Sequence, residues 1–307
     1  MRTPRLATAA LALALTTVLG CAQAQRGPVQ VAAAQSPQTA QQALPATALP
    51  NQPDSLKFAV LGDFGDGSRG QLDLAAEMAR VHKRFPYEFV ITVGDNIYGS
   101  ERPQDFARKF EGPYKPLLDA GVKFYASLGN HDSREQRFYK LFNMGGELYY
   151  SFKPGEHSVR FFALESTYLL PDQLEWLQKE LEGSREDWKI PFFHHPPYSS
   201  GGRHGSHLQH REALEPLFVK YNVSVVFTGH DHIYERVKPQ QGIVYFVTGS
   251  GGKLRRGDLD RSTGLTAAGN STEQAFVVCE IIGDELFFNT ISKSGAVIDS
   301  GMITRRK

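Results

Sequence analysis

Cysteine is almost missing from this 307-residue chain, which carries only Cys21 and Cys279. That excludes a disulfide framework and leaves the apolar core and any bound ion to hold the domain together. A surplus of one charge sign is missing as well. Lys and Arg number 34 against 33 Asp and Glu, for a net charge of +1, which argues against a nucleic-acid or membrane-surface partner. A long hydrophobic run is also lacking, since the apolar stretch Leu6 to Leu19 falls short of the roughly 20 residues that a membrane-spanning helix needs.

What is present at the start has the plan of an export signal. Arg2 and Arg5 precede the apolar stretch, and small residues follow it through residue 24. Val18-Leu19-Gly20-Cys21 resembles a bacterial lipobox, and Ala22-Gln23-Ala24 offers an ordinary cleavage site, so the expected product is either an envelope lipoprotein anchored through Cys21 or a periplasmic or secreted protein. Residues 25–55 are rich in Ala, Gln and Pro and have no aromatic residue, which predicts a disordered tether. From residue 56 to 307, short apolar runs alternate with amphipathic stretches. This predicts an α/β domain. Expected helices include 71–83, 106–120, 172–181 and 211–221; strands are expected at 57–61, 89–93, 123–128, 149–152, 160–165, 190–193 and 223–228, with antiparallel strands from Ile243 onward.

Polar residues recur where these strands end. The motifs are Gly62-Asp63-Phe64-Gly65, Gly94-Asp95-Asn96-Ile97-Tyr98, Gly129-Asn130-His131-Asp132, His194-His195-Pro196-Pro197 and Gly229-His230-Asp231-His232. Singly, each reads as a turn, a capped helix start or a rigid loop. Jointly they deliver carboxylates, a phenol, an amide and several imidazoles to the carboxyl ends of five strands, where α/β sheets bind ligands. Oxygen and imidazole ligands without thiolate suit a two-metal hydrolytic site.

These five motifs, in this order, resemble the calcineurin-like metallophosphoesterases, and the tyrosine Tyr98 together with Gly-Asp-x-Gly at residues 62–65 resembles their purple acid phosphatase branch. The resemblance implies a four-layer α/β/β/α sandwich with two mixed sheets, of the small single-domain type. It implies that Asp63, Tyr98 and His232 hold Fe(III), that Asp95 bridges, and that Asn130, His194 and His230 hold a divalent Fe, Zn or Mn ion. His195 is left as the rival of His194. By the same resemblance His131 contacts phosphate and protonates the leaving group, and His204 is a second phosphate contact, with His207 as its alternative. The implied reaction is hydrolysis of small phosphate monoesters by metal-activated hydroxide. Phosphodiester cleavage by the same site and a non-catalytic envelope binding role are the other readings.

Charge counting supports the set. Two carboxylates and a phenolate oppose five positive charges, leaving two to attract phosphate and to acidify a bound water. Asp66, Asp132 and Asp231 are expected to orient histidines or turns, Glu235 and Arg236 to form an ion pair, and His207 and His210 to lie on the surface at a helix start. Gly249-Ser250-Gly251-Gly252 lacks a following Lys-Ser/Thr and is expected to be a tight turn near the site.

Overall fold

The computed structural model describes residues 48–307; the export signal and most of the expected tether lie outside the described residues. In chain order the elements are β1 (Leu56–Leu61), α1 (Arg69–His82), β2 (Phe89–Val93), α2 (Pro103–Phe106), α3 (Gly112–Asp119), β3 (Lys123–Ser127), β4 (Tyr150–Phe152), β5 (Val159–Ala163), α4 (Pro171–Gly183), β6 (Trp188–Phe192), α5 (Leu208–Lys220), β7 (Val225–Thr228), β8 (Tyr234–Val237), β9 (Val244–Thr248), β10 (Thr266–Asn270), β11 (Ala275–Ile282), β12 (Glu285–Ser292) and β13 (Val297–Thr304).

The strands form two mixed sheets, ordered β13-β12-β11-β1-β2-β3 and β10-β8-β9-β7-β6-β5-β4. In the first, β1, β2 and β3 run parallel while β11 to β13 are antiparallel. In the second, β5, β6, β7 and β9 run parallel, β4 and β8 run against them, and β10 pairs antiparallel with β8. β9 therefore departs from the purely antiparallel end expected after Ile243, because it pairs with β7 on one side and β8 on the other.

Strand alternation builds the layers. In β1, Leu56, Phe58 and Val60 point into the core between the sheets, and Ala59 and Leu61 point to the other face. That other face is covered by α1, whose Leu74, Ala75, Met78 and Val81 recur at helical spacing and bury against it. The outer face of the second sheet packs Leu177 and Leu181 of α4 and Leu214 and Phe218 of α5 against Val226 and Tyr245. The result is the expected α/β/β/α sandwich.

Two local expectations change. The helix predicted over 106–120 is split into α2, a π-helical turn at Ala107–Glu111, and α3, a stretch in which Pro113 and Pro116 have no N–H to give the ladder. The tether does not extend to residue 55. Asn51 and Gln52 donate their backbone N–H groups to the buried Glu280 carboxylate at 2.6 and 2.7 Å, Ser55 Oγ donates to it at 2.6 Å, and Leu49 packs on the core. A buried carboxylate needs such donors, and the chain just before β1 supplies them.

Phe58 is fully buried, edge-on to Phe161 at 5.1 Å and stacked with Phe89 at 5.6 Å. Phe58→Ala should therefore destabilise the domain by about 3–5 kcal/mol, read as an earlier midpoint in urea unfolding.

Candidate metal centre

Each site residue sits where a parallel strand stops. Asp63 follows β1, Asp95 and Tyr98 follow β2, Asn130 and His131 follow β3, His194 follows β6, and His230 and His232 follow β7. Asp63, Asp95 and His230 take left-handed backbone angles, with φ of 53°, 51° and 73°, so the chain reverses at once and turns each side chain inward. The glycines around them keep the approach open. A Cβ on Gly129 would meet Asp95 Oδ1 at 2.2 Å, and one on Gly229 would meet Asp63 Oδ2 at 2.5 Å.

The side chains converge as two sets. Tyr98 Oη lies 3.1 Å from Asp63 Oδ1 and 3.2 Å from His232 Nε2, and the latter two atoms are 3.5 Å apart. His194 Nε2 lies 3.1 Å from Asn130 Oδ1, 3.2 Å from His230 Nδ1 and 3.4 Å from Asp95 Oδ1. Donor atoms held about 2.0–2.2 Å from one cation stand roughly 3.0–3.5 Å from each other, so both sets fit an ion. Asp63, Asp95 and His194 bring ligand atoms within 4.8 Å of one another, which joins the two sets.

Neighbouring groups fix the donors. His194 donates Nδ1–H to the carbonyl of Val93 at 2.9 Å, which leaves the Nε2 lone pair facing Asn130 and Asp95. His195 instead turns Nδ1 to Ser166 Oγ at 3.0 Å, so the geometry favours His194 for the second set; His195 still stands within ligand-atom range of His194 and His230. The backbone N–H of His131 holds Asp95 Oδ1, and that of His230 holds Asp63 Oδ2, each at 3.0 Å.

Electrostatics point the same way. Burial, and then the Asp95 charge, push the Asp63 carboxyl up. Burial followed by Asp63 and Asp95 pushes the Tyr98 phenol far up. Burial pulls His232 down to about 4 and His230 lower still. A cation at these atoms favours carboxylate, phenolate and neutral imidazole, and so offsets the two carboxyl-type shifts while using the imidazoles as they stand.

His131 and His204 line the exposed rim. The His131 ring lies 5.0 Å from Tyr98, and the His204 ring 4.2 Å from His230. Lys253 Nζ stands 4.7 Å over the Tyr98 ring, adding positive charge beside them. His207 is turned away to pair with His210.

A calcineurin-like phosphoesterase family model matches residues 56–234, a span that contains every residue of both sets. The chain belongs to that family. Among curated relatives of this calcineurin-like phosphoesterase, purple acid phosphatase 17 of Arabidopsis thaliana is 28% identical over 246 residues, covering 68% of this chain and 72% of that protein. Tartrate-resistant acid phosphatase type 5 of Homo sapiens is 25% identical over 299 residues, covering 82% and 92%. Two solved structures share the fold at lower identity. GAP50, the anchor in the inner membrane complex of Plasmodium, has a TM-score of 0.70 at 21% identity and covers 82% of this chain and 90% of its own. The purple acid phosphatase PPD1 from yellow lupin (Lupinus luteus) seeds has 0.68 at 20%, covering 83% and 55%. The phosphoesterase is thus a metal-dependent phosphatase, and purple acid phosphatases are among its curated relatives.

The carboxylates beside the candidate ligands divide. Asp132 accepts the N–H groups of Gly129, Asn96 and Ile97 at 2.9–3.0 Å and so ties the β2 and β3 loops together; burial and the nearby Asp95 raise it to about 7. Asp231 accepts from Ser199 Oγ at 2.6 Å and from Gly205 N–H at 3.2 Å, which fastens the His204 loop to the β7 loop. Asp66 accepts the N–H of Ser68, the residue that caps α1, and orients no ligand. Gly252 and Lys253 donate to the carbonyl of Asp63, so the 249–252 turn does lie at the site.

Two expectations are corrected. Glu235 and Arg236 do not pair, because adjacent residues of a strand face opposite sides: Arg236 bonds Asp299 at 2.8 and 3.0 Å, and Glu235 accepts from Ser200 N–H and Thr266 Oγ1. His210 is not a surface residue. It is 6% exposed, and its Nε2 donates to the Ser166 carbonyl at 2.6 Å. Ser166 itself went unread, since nothing in its local sequence marks it, yet its Oγ accepts the backbone N–H groups of both His194 and His195.

Burial pulls His210 down to about 4. Between that value and the ordinary 6.5 the unfolded chain binds the extra proton, so this residue makes stability fall as pH drops through that window. His210→Asn should flatten the slope there by at most about 1.4 kcal/mol per pH unit, measured by urea unfolding at pH 4.5 to 7.

Proposed function

We propose that this phosphoesterase hydrolyses small phosphate monoesters at two metal ions, Fe(III) among Asp63, Tyr98 and His232 and a divalent Fe, Zn or Mn ion among Asn130, His194 and His230, with Asp95 between them. The observation that carries the reading is the pair of donor sets, each with spacings of 3.1–3.5 Å, meeting at Asp95. When bound, the metals supply positive charge for the phosphoryl oxygens and an acidified water as nucleophile. A phenol ordinarily titrates near 10, so its use as a ligand favours the more acidic ferric ion.

The chain's own residues do the rest. His194, fully buried and bonded to the Val93 carbonyl at 2.9 Å, is held ready in place, which limits reorganisation there. His131, exposed beside Tyr98, protonates the leaving oxygen, and His204, against His230, donates to a phosphoryl oxygen. Lys253 Nζ, over the Tyr98 ring and 3.9 Å from Asp66 Oδ2, stands at the same mouth and is a candidate contact for a phosphoryl oxygen. The fold by itself decides none of this, since a parasite anchor protein shares it; the intact donor sets are the support. We further propose that residues 1–24 direct export, with a membrane contacted only through lipidation at Cys21, and that no nucleic acid is bound.

Purified protein should cleave a generic monoester faster than a generic diester, with an acid optimum, and lose both activities to a chelator. Faster diester cleavage would assign the phosphodiesterase reading to the same residues, and no metal-dependent hydrolysis of either ester would leave a binding protein. Asp95→Asn should lose bound metal by elemental analysis together with activity, whereas His131→Ala should retain metal and lower kcat by roughly 10²–10⁴-fold. A visible phenolate-to-iron absorption band should be present in the parent and abolished in Tyr98→Phe.

A further inference from the structure

Lys109 is a charged side chain that the proposed reaction does not use, yet it is only 4% exposed. An ammonium that deep persists only where its charge is paired and its three donors find acceptors. The Asp105 carboxylate lies 3.8 Å from Nζ. The donors go to the loop after β2, where Nζ bonds the carbonyl of Tyr98 and reaches that of Ser100 at 3.4 Å. Gly99 between them takes a φ of 79°, a left-handed angle that lets the chain curl around the ammonium. Asp105 closes the circle by accepting from Ser100 Oγ at 2.6 Å.

The other end of this contact is braced. Lys109 sits in the π-helical turn Ala107–Glu111, and single π turns within helices recur at functional sites. Its neighbour Phe110 is fully buried, edge-on to Phe124 at 5.0 Å and 6.3 Å from Phe64, the residue after Asp63. Gln71 of α1 ties the same turn to the β1 loop, since its Nε2 donates to the Lys109 carbonyl while its Oε1 accepts the Gly67 N–H at 2.7 Å. One helical turn therefore supports both loops that carry Asp63 and Tyr98.

The consequence for Tyr98 runs through its main chain. The Gly65 carbonyl accepts its N–H at 2.9 Å and Lys109 holds its carbonyl, so the peptides on both sides of its Cα are pinned. Only the side-chain torsions are then left to place the ring, and Oη comes to 3.1 Å from Asp63 Oδ1 and 3.2 Å from His232 Nε2. Because Nζ bonds backbone carbonyls, Lys109 acts through Tyr98 and not on the substrate.

We propose that Lys109 is a positioning residue whose buried ammonium sets where the Tyr98 phenol stands, and so how firmly the phenolate holds the ferric ion. The inference rests on the proposed ferric role of Tyr98.

The test uses the full chain carrying its metals. Lys109→Met keeps the apolar stem and removes the donors; Lys115→Met removes an exposed ammonium from α3 and serves as the control. Lys109→Met should hold iron roughly 10–100-fold more weakly against a competing chelator, displace the phenolate-to-iron band, and lower kcat with KM near that of the parent. Lys115→Met should match the parent in all three. A parent-like band and iron affinity in Lys109→Met overturn the inference while leaving the phosphatase reading intact. Should that variant not fold, Lys109→Gln, whose amide is one bond shorter and uncharged, is judged by the same two readouts. A parent that binds iron without showing the band sinks the ferric reading instead, and amide exchange of the metal-free chain then decides Lys109. Faster exchange confined to residues 96–102 in the variant supports its hold on Tyr98; exchange equal to the parent, or raised throughout the chain, overturns it.

Discussion

The structure depends on burying like charges together. Asp63 and Asp95 are 0% and 1% exposed and face the same phenol, and burial followed by the Asp95 charge raises the cost of ionising Asp63. Nothing in a hydrophobic core compensates that except a cation and oriented N–H groups. The surrounding chain is arranged for both. Backbone amides of His131 and His230 hold Asp95 Oδ1 and Asp63 Oδ2, while Asp95 Oδ1 also faces His194 and Asp63 Oδ1 faces Tyr98.

That arrangement straddles the two sheets. In the first set, Asp63 and Tyr98 come from the sheet of β1 and β2, while His232 comes from the sheet of β7. In the second, Asn130 comes from one sheet and His194 and His230 from the other. Donor spacings near 3 Å thus rest on how the sheets pack. The core between them is largely aromatic and branched, with Phe58, Phe89, Phe161, Phe227 and Phe246 in contact, and close-packed rings resist the sliding that would spoil the spacing.

A further set of buried polar groups ties the loops to each other. Asp132 clamps the β2 and β3 ends, Ser166 clamps the His194–His195 turn from β5, and Asp231 clamps the His204 loop. All of the 10 histidines except His82 and His157 lie in this region, where burial pulls His195, His210, His230 and His232 below the ordinary imidazole value.

Much of this was legible in the chain. Glycine before Asp63, Asp95, Asn130 and His230, at the ends of apolar runs, marked the strand ends and the donor types, while the two-sheet sandwich was implied by the family resemblance that the five motifs carry. Local pattern could not reveal Ser166 or the burial of His210, because their partners are distant in sequence and their neighbours carry no signal. It could not split the helix after Pro103 at the right turn or find that Arg236 reaches Asp299. The choice of His194 over His195 rested on the resemblance alone, since adjacent imidazoles are chemically identical. Only the folded chain sets the Val93 carbonyl against one ring and the Ser166 hydroxyl against the other, which leaves the His194 lone pair facing Asn130 and Asp95 while His195 stays within ligand-atom range of His194 and His230.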